Sequence, residues 1–271
     1  MADESAPTMS LGTVEITTPK KQLTRMSAFI WGPSGAGKTT LAATAPRPIL
    51  WVNFDPDGTS SLMDQEDIFI ADFSMEKPNK IATFKHENAG GIGKVLDDHP
   101  EIKTVVVDSV TSLNAMATAH AVTETKSATM EAPTLAGYGR RNSYTLQAIN
   151  SIIKCTGRSG KNVIFVAHED VPSKDELTGA MMVSILIGGK MQSEIPIKLS
   201  EVWYLEDTGK QRMITIRSNR LRKPMKSRMF LQSGESNFTW KFDPELWEGA
   251  GIEKWYNAWK ENGGKKLPLP K

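Results

Sequence analysis

The segment Gly32-Pro33-Ser34-Gly35-Ala36-Gly37-Lys38-Thr39 constrains the fold more than any other stretch. It fits the pattern G-x-x-x-x-G-K-[ST], in which a strand enters a glycine-rich loop and a helix leaves it. Both flanks are present. Ser27 to Trp31 is a short run of strand type, and Thr40 to Ala45 reads as a helix stopped by Pro46. Glycines admit backbone dihedrals that let successive N–H groups converge on one cavity. The helix N-terminus adds partial positive charge beneath it. Residues Gly32 to Thr40 therefore form a phosphate-binding candidate. Lys38 is expected to reach the terminal phosphates, and the Thr39 hydroxyl to ligate Mg2+.

The remaining chain supplies the strands and helices that such a loop needs. Ile49 to Phe54 is an apolar run ending in the turn sequence Asp55-Pro56-Asp57-Gly58. Ile68 to Phe73 predicts another strand, residues 74–91 a loop, and Ile92 to Asp98 a brief helix. Lys103 to Asp108 is rich in β-branched residues and predicts a strand buried on both faces. A helix is expected over 110–119 and a mobile polar loop over 120–139. A second helix is expected from Arg140 to Thr156, with Tyr144, Ala148, Ile149, Ile152 and Ile153 in one stripe. Asn162 to His168 predicts a buried strand, followed by a long segment over 169–190. Val202 to Leu205, Met213 to Arg217 and Phe238 to Phe242 predict strands forming an antiparallel extension. Ile252, Trp255, Tyr256 and Trp259 recur at helical spacing. The expected class is α/β, a mainly parallel central sheet flanked by helices with an antiparallel extension at its C-terminal side. Three parts follow: a flexible arm over 1–22, a core over 23–245, and a C-terminal amphipathic helix with a frayed tail over 246–271.

Composition narrows the setting rather than the chemistry. A net charge of +2 names no partner, so any nucleic-acid footprint must be local. The single cysteine, Cys155, rules out an intramolecular disulfide, fits a reducing compartment and reads as a packing residue. The polar, acidic start is unlike a signal peptide, and no apolar run is long enough to span a bilayer. A cytoplasmic protein with no membrane partner is expected.

Ligands of parallel α/β sheets bind at the carboxyl ends of the strands, and the titratable candidates gather there. Asp108 closes its strand and is the expected partner of Thr39 in holding Mg2+. Asp55 and Asp57 follow a strand taken to lie next to the phosphate loop. Either they only shape the Asp-Pro-Asp-Gly turn, or one of them orients an attacking water, with Asp57 the preferred carboxylate. His168 ends a strand at the same edge. It either pairs with a neighbouring carboxylate such as Glu169 or senses the terminal phosphate.

These residues resemble the RecA-like branch of P-loop ATPases. Gly32 to Leu41 is similar to the Walker A motif, and Val105-Val106-Val107-Asp108-Ser109-Val110 to Walker B. Phe54-Asp55-Pro56-Asp57 stands where the family has Ile-Asp-Ala-Glu, which puts Asp57 at the catalytic glutamate. His168 stands at the γ-phosphate-sensing glutamine, and Gly188-Gly189 resembles the double glycine closing the second DNA-binding loop. The likeness covers residues 25–230. It looks nearest to compact phage-encoded RecA-like, AAA-type nucleotide-binding and single-strand annealing recombination proteins. Aspartate for glutamate and histidine for glutamine imply slow hydrolysis. The resemblance implies ATP and Mg2+ as cofactors, single-stranded DNA as a partner, and a homo-oligomer, ring or filament. It admits a single-strand binding protein as a further partner, and a phage origin would place the chain in the bacterial host cytoplasm.

By the same resemblance, residues 120–139 and 169–190 would be DNA loops. Lys126, Arg140, Arg141, Lys174 and Lys190 are then available to phosphates and Tyr138 to a base. Arg212, Arg217, Arg220, Arg222, Lys223, Lys226 and Arg228 crowd one short segment. That run stays open among a solvated hairpin, a track for DNA phosphates, and a finger delivered in trans to a neighbouring ATP. Arg220 and Arg228 are the finger candidates. An ATP-driven DNA motor of helicase or packaging type is the competing function. A small-molecule kinase fits less well, because no arginine-rich lid is apparent. No Asn-Lys-x-Asp motif supports a GTPase.

Overall fold

The computed structural model describes residues 9–16, 25–84, 91–126, 129, 133–174, 179–219, 224–231 and 234–271. The chain opens on a small hairpin, β1 (Ser10–Leu11) and β2 (Val14–Glu15), then runs through β3 (Ser27–Gly32), α1 (Lys38–Ala43), β4 (Ile49–Asn53) and β5 (Ile68–Asp72). It continues as α2 (Ile92–Asp98), β6 (Thr104–Asp108), α3 (Val110–Thr125), α4 (Leu135–Arg158) and β7 (Asn162–His168). A short pair, β8 (Ser173–Lys174) and β9 (Met181–Met182), precedes α5 (Met191–Ile197), β10 (Glu201–Asp207), β11 (Arg212–Thr215) and β12 (Asn237–Trp240). A second short pair, β13 (Phe242–Asp243) and β14 (Glu248–Gly249), leads into α6 (Ile252–Glu261).

One eight-stranded sheet organises the molecule, in the order β12-β11-β10-β3-β7-β6-β4-β5. From β10 to β5 every neighbouring pair is parallel, and β11 and β12 are added antiparallel. The central strands are buried on both faces, as their unbroken apolar runs require. Alternate residues feed two cores. Phe29, Trp31, Val105, Val107 and Phe165 pack with α3 and α4. Ala28, Ile30, Val106, Ile164 and Trp203 pack with α1 and α6. The stripe of α6 is buried as its spacing predicts, and Ile252 N donates to Thr44 Oγ1 at 2.9 Å, tying α6 to the end of α1. Gly32 has φ 153°, and a Cβ there would lie 2.0 Å from the Leu205 carbonyl oxygen. Only glycine lets β3 open into the phosphate loop beside β10.

Several expectations need correction. β10 joins the sheet parallel to β3, so the antiparallel extension is β11 and β12 alone. The strand before Asp55 is not beside the loop strand, because β7 and β6 stand between β3 and β4. Residues 78–84, within the expected loop, form a 3-10 helix that buries Ile81 and Phe84. The expected polar loop over 120–139 is helical at both ends: α3 continues to Thr125 and α4 already begins at Leu135. Ala117 and Ala121 bury one side of α3, while Thr118, Thr123 and Thr125 return their hydroxyls to carbonyls one turn back, so polar composition hid a helix. α5 escaped notice because it carries Pro196. The C-terminal tail is docked rather than frayed: Leu267 N donates to Met229 O, Leu231 N donates to Leu267 O, and Leu267 and Leu269 pack on the core. Within the expected N-terminal arm, residues 10–15 form the hairpin. Cys155 is buried, in keeping with a packing role. No helix among the described residues is long and apolar enough to cross a membrane.

Candidate nucleotide site

The loop after β3 opens at the carboxyl end of the sheet, over a cavity of about 520 Å³. Ser34, Gly35, Gly37, Lys38, Thr39 and Thr40 line one side of it, and Asp55, Asp108, His168 and Arg212 reach in from other strands. Gly35 and Gly37 have φ 77° and 93°, the left-handed backbone that folds this loop over itself.

Lys38 is 5% exposed, and its Nζ donates to the Pro33 carbonyl at 2.6 Å. That is its only hydrogen-bond partner among the described residues, so two of its three donors stay open to an anion. Burial pulls its pKa down, against the Asp108, Glu169 and Asp55 carboxylates. The Thr39 hydroxyl donates to Asp108 Oδ2 at 2.8 Å, which brings together the two residues expected to hold Mg2+. An ammonium with open donors beside a buried carboxylate suits a phosphate chain with its divalent cation.

Burial pushes the Asp108 carboxyl up to about 6, with the Thr39 hydrogen bond opposing. This folded pKa lies above the ordinary 3.8, so the group's contribution to stability is lost as pH rises between those values. A bound cation would take the place of the proton. Mg2+-dependent nucleotide affinity is therefore expected to fall as pH drops through about 6, and Asp108→Asn to make that fall shallower, leaving the part due to the terminal phosphate's own proton. Titrations at about pH 5 and about pH 8 measure it, each well to one side of that value.

Asp55, rather than Asp57, faces the cavity. Asn53 fixes the turn: its Nδ2 donates to Asp55 O and to Asp72 Oδ1, both at 2.9 Å. The Asp55 carboxylate accepts from Ser109 Oγ at 3.1 Å and from Ser112 Oγ, and its Oδ2 lies 3.5 Å from His168 Nε2. Burial raises its pKa, but the hydrogen bonds from His168, Ser112 and Ser109 outweigh burial and leave it below the ordinary value. Asp57 is exposed, has φ 55° and does not line the cavity. The carboxylate beside His168 is thus Asp55, while Glu169 accepts from the Tyr204 hydroxyl at 2.8 Å.

Of the two finger candidates, only Arg228 lies within the described residues. Arg220, with Arg222 and Lys223, falls outside the described residues. Arg228 is exposed at the opposite, amino end of the parallel strands, near Arg25, Ser27 and Glu201. Sequence reasoning missed Ser109 and Ser112, which anchor Asp55, and the placement of Arg212 in this cavity. Ser109 caps the start of α3, where Ser112 N donates to its Oγ at 3.2 Å.

Fold and site together define a P-loop nucleotide-binding protein of the ATPase class. A family profile described as "AAA domain" matches residues 24–229, and the chain belongs to that family. Among solved structures, the chain is similar to a crystal structure of the RadB recombinase, at 13% identity and a TM-score of 0.43, covering 81% of this chain and 88% of that one. No curated protein matches.

Proposed function

We propose that the chain binds ATP with Mg2+, hydrolyses it slowly, and acts as a RecA-like protein on single-stranded DNA in recombination or annealing, in a cytoplasmic setting. The observation that carries this reading is the convergence of Lys38, the Thr39–Asp108 contact and the Asp55–His168 pair on one cavity. The loop N–H groups and Lys38 hold the phosphates, and Thr39 with Asp108 holds the metal. Mg2+ neutralises charge on the phosphate oxygens when bound. Asp55 orients the attacking water, and His168 shares its carboxylate and responds to the terminal phosphate. An aspartate in this role reaches less far than a glutamate, which fits slow turnover.

A second cavity of about 400 Å³ supports the DNA part of the reading. Thr111, Asn114, Tyr138, Arg141, Leu186 and Gly188 line it. The Arg141 guanidinium stands 5.0 Å over the Tyr138 ring, pairing a planar cation with a stacking surface. The two cavities share a strut, because His168 N donates to Thr111 Oγ1 at 3.0 Å. This bond joins the strand end that carries His168 to the lining of the second cavity. Arg228 faces away from the cavity of its own chain, so it meets an ATP only if a ring or filament brings a neighbouring copy's site to it.

The test measures single-stranded DNA binding, ATP turnover with and without that DNA, and complementary-strand annealing, for the wild type beside a Tyr138→Ala, Arg141→Ala double variant. The variant is expected to weaken DNA binding by about tenfold or more. Unchanged binding would remove the DNA assignment, and fast DNA-stimulated turnover would favour a motor instead.

A further inference from the structure

We propose that Arg212 is a phosphate-binding residue supplied by the same chain, acting at the nucleoside end of the nucleotide. This rests on the nucleotide reading above and goes further by assigning Arg212, and the end of the ligand that it meets, from sheet geometry.

The antiparallel turn from β10 to β11 sets Arg212 opposite Asp207, and the next pairing sets it opposite Trp240. The start of β11 therefore returns to the edge where the phosphate loop lies. Arg212 Nε is 3.7 Å from Asp207 Oδ2, and its guanidinium lies 5.6 Å from the centre of the Trp240 ring. The group is wedged against the loop: a Cβ on Gly37 would lie 3.3 Å from Arg212 Cζ and 3.4 Å from the Trp240 ring. With Nε on Asp207 and one face on Trp240, the forked edge of the two terminal nitrogens has no partner among the described residues. A half-buried guanidinium held in this way presents a bidentate edge, the geometry that suits a phosphate.

The sheet order decides which phosphate. Asp108, His168 and Asp55 follow β6, β7 and β4, all on one side of β3. Arg212 stands on the other side, beyond β10. Metal and water chemistry occupies the first side, so the terminal phosphate points there. The nucleoside and its adjacent phosphate then point toward Arg212. That phosphate is common to ADP and ATP, whereas a contact to the terminal phosphate would serve ATP alone.

The test is calorimetric titration of ADP and of ATP into the full chain and into Arg212→Gln and Arg212→Lys, with thermal melting as a check on folding. Arg212→Gln keeps much of the packing on Trp240 and loses the charge. It is expected to weaken both nucleotides by a similar factor, about tenfold or more. Arg212→Lys restores charge without the fork and is expected to recover only part of the loss. A folded Arg212→Gln chain that binds both nucleotides within about twofold of the wild type would overturn the inference, as would a loss confined to ATP. Failure of the wild-type chain to bind either nucleotide is a different result, which removes the nucleotide reading and this inference with it.

Discussion

Replacing Lys38 with alanine is expected to abolish measurable ATP binding and to lower turnover by about a thousandfold or more. The loop supplies backbone donors, but Lys38 is the one full positive charge that it aims into its own cavity. In the structure that charge is buried and, among the described residues, hydrogen-bonded to the Pro33 carbonyl alone, so it is held ready at the cost of its own hydration. The same fact predicts the stability effect. Removing a desolvated ammonium relieves an existing cost, so Lys38→Ala is expected to melt at or above the wild-type temperature. Titration calorimetry and a thermal melt separate the two effects. A variant that loses binding because it unfolds would leave the assignment of Lys38 unsupported.

Asp55→Asn is expected to lower ATP turnover by about a hundredfold or more while leaving nucleotide binding nearly intact. Asp57→Asn is expected to stay within about threefold of the wild type. The contrast follows from two neighbouring backbones. Asn53 clasps the turn and directs Asp55 into the cavity, where two serine hydroxyls and His168 hold its carboxylate. Asp57 takes the left-handed conformation and projects to solvent. Asparagine tolerates that conformation, so this variant tests the carboxylate and not the turn. Asp55→Asn keeps the shape and removes the charge. Isotope-free steady-state assays with saturating ATP and Mg2+ suffice to read both.

Much of the architecture was legible because the strands are doubly buried. Runs such as Val105-Val106-Val107 and Ile164-Phe165-Val166 have no solvent face to interrupt them, and each strand ends on a residue that lines the candidate nucleotide cavity. Gly32 to Thr39 and Asp108 were legible because chemistry fixes both residue type and spacing. Asp55 against Asp57 was not, because a four-residue turn offers two acids, and the Asn53 side chain with the distant Ser109, Ser112 and His168 selects between them. The position of Arg212 depends on the register of β11 against β10 and β12, a long-range pairing that no local pattern encodes. The helical part of residues 120–139 was hidden because threonine and alanine look loop-like until their buried face finds α4. The tail after α6 read as frayed because its anchors, Met229 and Leu231, lie far away in sequence.

The cavity is proposed to bind Mg2+ and ATP and to hydrolyse the ATP with Asp55. One assay tests it most directly: ATP turnover by the wild-type chain, Asp55→Asn and Asp57→Asn, measured side by side with Mg2+ and single-stranded DNA. The wild type and Asp57→Asn are expected to turn over ATP slowly but measurably, and Asp55→Asn to stay at background. Background turnover by the wild type, or a dead Asp57→Asn beside an active Asp55→Asn, would contradict that proposal.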